Sequence, residues 1–266
     1  MRSFIFFIYL YQTKVIKMSD EKFKFPTEVV ELPSKGLIYP EDNPLSSGKI
    51  EMKYMTAKEE DILTNQNYIK DGTVLDRMMK SLIVSKINYD DLIVGDKNAV
   101  MVASRILGYG KDYTFKYNDE EVTVDLSILE PRYLDESKVT KGINKFSFTL
   151  PTTKNTIEFK LLDNKDDKAI KQEIKGLKKL DKTGSFDLST RLKHMILSVD
   201  GNEEKSTIRE FVDNYMLAKD SRALREYIKS FQPDIDLTFT FESSNGTLED
   251  VDLPVTVNFF WPDAWI

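Results

Sequence analysis

The chain has 266 residues, 41% hydrophobic and 31% charged, and its 38 Lys and Arg against 44 Asp and Glu leave a formal net charge of −6. That composition belongs to a globular protein and argues against nucleic acid as a partner, because neutralising phosphates requires clustered cations on a basic face. With no cysteine and a single histidine, His194, disulfides, thiolate metal sites, a cysteine nucleophile and zinc sites on paired histidines are excluded, and no cofactor is expected.

Residues 1–18 read as a leader or disordered tail. The apolar run from Phe4 to Tyr11 behind Arg2 resembles a signal-peptide core, yet it has no small-residue cleavage site and is too short to cross a bilayer as a helix. Met18 opens a different, charged stretch, and translation is expected to start there. No membrane association is expected. From 25 to 55, Pro26, Pro33, Pro40 and Pro44 impose extended chain and loop, and Ile50, Met52 and Tyr54 alternate with Glu51 and Lys53 as a strand. Thr56-Ala-Lys-Glu59 has the form of a capping box, so a helix should follow towards Asn65. Thr73 is a candidate N-cap for a helix whose apolar stripe is Leu75, Met78, Met79, Leu82 and Ile83.

A helix and hairpin follow over residues 97–126. Ala99, Val102, Ala103 and Ile106 share one helical face, Tyr109 extends it, and Gly108 and Gly110 suit a helix C-terminus. Tyr113, Phe115 and Tyr117, then Val122, Val124 and Leu126, alternate with polar residues about a tip at 118–121, the pattern of a β-hairpin with one buried face. The plan recurs over 219–253, shifted by about 120 residues. Leu224, Ile228 and Phe231 answer Val102, Ile106 and Tyr109, a strand at 237–241 answers 113–117, and Asn245-Gly246 supplies a tight turn.

Between these units, the polar stretch 131–150 with Gly142 is the candidate junction. Phe146, Phe148 and Leu150, then Ile157, Phe159 and Leu161, predict a pair of strands. Residues 163–182 predict a charged helix around Ile170, Ile174, Leu177 and Leu180. Leu188, Leu192, Met195, Ile196 and Val199 form another helical stripe, with His194 off it as a surface or boundary residue. Thr207-Ile-Arg-Glu210 has the form of a second capping box, opening a helix with Ile208, Phe211, Val212, Tyr215 and Met216 on one face. The expected fold is therefore α+β: two divergent repeats over 19–140 and 141–266, each with strands, amphipathic helices and a closing helix plus β-hairpin unit, packed as one body.

Gly108-Tyr109-Gly110 follows a helix, not a strand, so it is no nucleotide fingerprint, and there is no nucleophile elbow. The acidic pairs Glu59-Glu60, Asp90-Asp91, Asp166-Asp167 and Glu203-Glu204 are expected as solvated surface, not as a catalytic or metal site. The terminus says more, because Phe259, Phe260, Trp261 and Trp265 crowd its last residues. Aromatic side chains anchor interfaces, so these four, with Leu37 and Tyr39 of a Pro-rich arm at 32–45, are candidate partner-binding residues. The other reading is that Phe259, Phe260 and Trp261 cover the protein's own hairpin. On the docking reading, a chain truncated after Asn258 stays folded and loses association; failure to fold would mark the tail as core.

Several segments together resemble the baseplate hub protein family of T-even-like contractile-tailed phages. They are Glu31-Leu-Pro-Ser-Lys-Gly-Leu-Ile-Tyr39, Met55-Thr-Ala-Lys-Glu-Glu-Asp-Ile-Leu63, Gly72-Thr-Val-Leu-Asp-Arg77, Val94-Gly-Asp-Lys-Asn-Ala99 with Arg105-Ile-Leu-Gly-Tyr-Gly110, Asp220-Ser-Arg-Ala-Leu-Arg225 and Phe259-Phe-Trp-Pro-Asp263. The ordered set spans nearly the whole chain after Met18. Where family members look as if they carry paired cysteines at the hairpin tips, this chain has 117–121 and 242–246, so any zinc held there by relatives is lost. The resemblance implies a non-enzymatic, late viral protein in the host cytoplasm, contacting other baseplate or hub proteins, with no substrate, cofactor or metal. The alternative is a transient tail-assembly chaperone absent from the mature virion.

Overall fold

The structure, a computed structural model, describes residues 26–243 and 246–260; the leader at 1–18, Asn245, Trp261 and Trp265 lie outside the described residues. Strands β1 (Thr27–Glu31) and β2 (Lys49–Lys53) pair antiparallel, and Val30, Ile50 and Met52 turn to the core as period-two alternation requires. The capping box forms: α1 (Ala57–Leu63) starts with Thr56 and Glu59 satisfying each other's orphan N–H groups. It stops earlier than expected, because the Asn65 side chain accepts from the Asn67 and Tyr68 N–H groups and opens a separate helix, α2 (Gln66–Lys70).

Helix α3 (Val74–Leu82) buries Met78, Met79 and Leu82, but Ile83, expected on the same stripe, leaves the helix with extended backbone and bridges Met52 of β2. Helix α4 (Val94–Tyr109) ends where Gly110 adopts φ 82°, a conformation open to glycine without strain. Strands β3 (Asp112–Tyr117) and β4 (Glu120–Asp125) form the predicted hairpin. Its tip residues, Asn118 and Asp119, both have positive φ, the geometry that matches the right-handed twist of the strands.

Within the stretch expected as a junction, the short strand β5 (Pro131–Arg132) pairs with a strand far along the chain, β9 (Asp234–Ile235). Strands β6 (Phe146–Thr149) and β7 (Thr156–Phe159) pair as predicted, and α5 (Asn164–Leu180) follows behind an Asp163/Asp166 capping box. Helix α6 (Asp187–Met195) is shorter than its stripe implied: Ile196 and Val199 belong to β8 (Ile196–Val199), which completes a three-stranded sheet against β7. A short apolar run is equally compatible with helix and strand, and β-branched residues tip it to strand here.

Helix α7 (Lys205–Glu210) begins behind Glu204, so the capping box expected at Thr207 does not form. The chain continues through one π-turn, Phe211–Tyr215, into α8 (Ala218–Phe231), then the hairpin β10 (Thr238–Ser243) and β11 (Gly246–Asp252), and ends in α9 (Val257–Phe260). Leu180, Leu188 and Tyr215, predicted on apolar stripes, face solvent, Leu180 with 88% of its surface exposed.

Helices and small antiparallel sheets thus make an α+β protein. Buried apolar residues from Val30 to Phe260 form one continuous cluster drawn from both halves, with a satellite of Leu162, Ile170 and Ile174 beneath α5.

Matching local devices occur in the two halves. Leu32-Pro33 follows β1 and Leu150-Pro151 follows β6, and in each case a buried Asp, third residue of a helix, grips the next N–H groups. Asp96 of α4 accepts from the Ser34 N–H (2.9 Å) and hydroxyl (2.6 Å), and Asp220 of α8 accepts from the Thr152 and Thr153 N–H groups (2.7 and 3.0 Å). Lys53, Thr56 and Glu59 have the same spacing as Lys160, Asp163 and Asp166. In both sets the lysine pairs with the capping acid, at 2.9 and 2.7 Å. Measured from the N-caps Ile93 and Leu217, Val100 is level with Leu224, two positions before the Val102 that periodicity alone suggested.

Candidate partner-contact surfaces

The terminal phenylalanines point inward. The β3–β4 hairpin presents Tyr113, Val122 and Val124 on its inner face, and α9 closes over it. Phe259 meets Tyr113 edge to face at 4.8 Å and Phe260 at 4.9 Å, and both phenylalanines are fully buried. The docking role expected for Phe259 and Phe260 gives way to the other reading, in which they cover the protein's own hairpin. Tyr39 is likewise buried: its hydroxyl donates to Asp96 Oδ2 (2.6 Å) and accepts from the Ile93 N–H (3.0 Å). Leu37 packs partly buried against the same core. The Pro-rich arm is therefore locked by Leu32, Ser34, Ile38 and Leu45, all buried, and is not a free docking arm. Trp261 and Trp265 lie outside the described residues.

Buried ionisable groups do fastening work that no sequence motif announced. Burial pushes the Asp96 carboxyl up to about 6, against the lowering effect of the Ser34 and Tyr39 donors. Burial also raises Tyr39, reinforced by Asp96. For Glu59, burial is outweighed by hydrogen bonds from Ser81, Lys53 and Thr56, which bring it to about 2. Arg105 is buried and makes no ion pair with a carboxylate among the described residues; it donates to the Gly110 and Asp112 carbonyls at 2.7 and 2.8 Å, tying the end of α4 to the start of β3. Burial lowers its pKa.

The acidic pairs do not converge. Glu60 accepts from the Tyr109 hydroxyl, Asp90 pairs with Lys168, Asp91 with Lys165, Asp166 with Lys160 and Asp167 with Lys171. Among the described residues no three His, Cys, Asp or Glu side chains are grouped to hold a metal ion.

Among the described residues are two grooves of about 500 Å³. The first, about 480 Å³, runs between β4 and β10 and carries Asp125, Glu130 and Asp236, with Ile128 69% exposed at its side. The second, about 520 Å³, lies over α6, β8 and α7, and sequence analysis gave no hint of it. It is lined by Lys145, Lys160, Lys193, Lys205, Arg209 and His194 against Asp166, Glu173 and Glu203. His194 Nε2 stands 2.8 Å from Glu173 Oε2, Lys160 is 2.7 Å from Asp166, and Lys145 reaches Glu158 at 2.9 Å. Lys193 is 2.6 Å from Asp213 and Lys145 also lies 3.9 Å from Glu203, so cations and acids along the wall are largely paired and the groove is polar with mixed charge. Among the described residues no helix is long and apolar enough to cross a membrane. No protein-family model, curated protein or solved structure matches the chain.

Proposed function

We propose that this protein is a non-enzymatic participant in phage tail assembly that acts on the central baseplate hub, in the host cytoplasm, through contacts with other hub proteins. The observation that carries the proposal is the ordered set of segments resembling the baseplate hub family, together with the positions they occupy. The segments at 31–39 and 94–99 meet where Asp96 grips Ser34; 55–63 holds the buried Glu59; 105–110 holds the Arg105 clamp; 220–225 begins with the Asp220 grip on Thr152 and Thr153. These groups bind the chain's own backbone and side chains. A family likeness concentrated there is a likeness of scaffold, as expected for proteins that share an assembly role and not a substrate. The groove over α6 and α7, lined by both cations and acids, offers a polar face to a partner segment.

The test is a pull-down of the tagged full-length protein from infected cells beside a protein inventory of purified virions. Recovery of hub proteins in the lysate supports the proposal, and presence or absence in the virion separates a retained hub subunit from a transient chaperone. Failure to associate with any tail protein would overturn it.

A further inference from the structure

Within the chain, the two halves meet through a short backbone edge. The Val94 N–H donates to the Leu162 carbonyl (3.0 Å), the Asn164 N–H donates to the Leu92 carbonyl (2.8 Å), and Ile93 faces Asp163 as an antiparallel bridge. Side chains reinforce it: Lys97 Nζ donates to Asn164 Oδ1 (2.8 Å) and Lys168 pairs with Asp90 (2.6 Å). One side of this junction is the residue run entering α4, and the other is the capping box entering α5.

Each half carries a version of both sides. Counting from the N-cap of α8, Met216, Leu217 and Ala218 stand where Leu92, Ile93 and Val94 stand before α4. Counting from the capping box of α1, Met55, Thr56 and Ala57 stand where Leu162, Asp163 and Asn164 stand before α5. The backbones agree, with φ −66°, ψ 157° at Ile93 and φ −66°, ψ 146° at Leu217. Their environments do not: Ile93 is 2% exposed and Leu217 47%. The Ala218 and Ala57 N–H groups and the Met216 and Met55 carbonyls have no hydrogen-bond partner among the described residues.

Of the flanking side chains, the Lys97–Asn164 contact has no counterpart, since Ser221 and Ala57 stand at those positions, but two other pairs remain complementary. At the positions of Lys168 and Asp90 stand Asp61 and Asn214, an acceptor and a donor. At those of Lys165 and Asp91 stand Lys58 and Tyr215, a cation and an aromatic ring that is 59% exposed. Two unused, mutually fitting edges on one chain cannot satisfy each other where they lie, but they can between chains.

We propose that the 216–218 edge of one molecule docks on the 55–57 edge of a second copy, repeating between chains the bridge that joins the halves within one. Such a contact is heterologous, so it propagates head to tail into a ring if the rotation closes and into a filament if it does not. The proposal does not rest on the phage assignment.

The test uses two prolines. Ala218→Pro and Ala57→Pro each fall on the first residue of a helix, behind a residue with extended backbone, where proline is well tolerated and removes only the N–H. In sedimentation velocity of the full chain, the wild type should form species heavier than a monomer as concentration rises, and each variant alone should lose them. An equimolar mixture of the two variants should form a dimer that does not grow, since it contains one intact pair of edges. Leu217→Glu, which disturbs no hydrogen bond, should also abolish the heavier species and serves if a proline variant proves unfolded by circular dichroism. A wild type that stays monomeric throughout, or variants that associate like the wild type, would overturn the proposal.

Discussion

Truncation after Asn258 separates a docking tail from a core element, because it removes Phe259 and Phe260 together. Each ring is fully buried, and Phe259 also makes edge-to-face contacts with Tyr113 at 4.8 Å and with Phe260 at 4.9 Å. Deleting a buried phenylalanine side chain costs about 3–5 kcal/mol through lost transfer energy and the cavity left behind. The two rings touch, so their losses are not additive, and the pair is expected to cost about 6–8 kcal/mol. Set against a total stability of about 5–15 kcal/mol, the truncated chain should sit at or beyond the edge of unfolding. The single change Phe260→Ala keeps the experiment readable. It should lower the thermal midpoint by about 10 °C, since one kcal/mol corresponds to about 2–4 °C in a chain of this size. Circular dichroism and tyrosine–tryptophan fluorescence should report the transition together. A truncated chain that melts like the full one, or a Phe260→Ala variant within about 1 kcal/mol of wild type, would refute the placement of α9 in the core.

Asp96 gives a pH dependence of unusual sign. Its carboxyl is raised from 3.8 to about 6 on folding, so the folded state holds the proton more tightly. Stability from this group is fully present below pH about 4 and lost as pH rises through 6, a change of about 3 kcal/mol. The wild-type advantage over Asp96→Asn in urea denaturation should therefore grow as pH falls over that range, and a flat difference would contradict it. Arg105→Lys should cost about 2–3 kcal/mol, because a single ammonium cannot span the Gly110 and Asp112 carbonyls that the planar guanidinium joins; amide exchange should show β3 opening first. Gly95→Ala should be strongly destabilising, by about 3 kcal/mol or more, since its Cβ would lie 1.8 Å from the Pro233 carbonyl oxygen. Gly176→Ala in α5, where a Cβ meets nothing within 4 Å, should instead stabilise by about 0.5–1 kcal/mol; both are read by chemical denaturation.

Local patterns fixed the elements whose cause is local. The capping box at Thr56, the stripe of Met78, Met79 and Leu82, and the alternation about Asn118-Asp119 each act within a few residues, so periodicity and end chemistry reveal them. Ile83, Ile196 and Val199 leave the helical stripe for the complementary reason: whether an apolar run continues a helix or leaves it depends on a waiting strand edge, Met52 for Ile83 and β7 for Ile196 and Val199. The contact surfaces were less legible still. Phe259, Phe260 and Tyr39 have the composition of interface anchors and the positions of core residues, and only the hairpin and the Asp96 network lying opposite them distinguish the two.

The sequence by itself determined an α+β chain with hairpins, capped amphipathic helices and no thiolate or paired-histidine chemistry, because residue type, spacing and absence suffice for those. Tertiary structure alone decided which carboxylates are buried, as Asp96, Glu59 and Asp220 are, and which apolar edges stay open, as at Leu217. Burial and pairing are set by what lies across space, and partners more than sixty residues apart, such as Ser34 and Asp96, leave no periodicity in the chain between them.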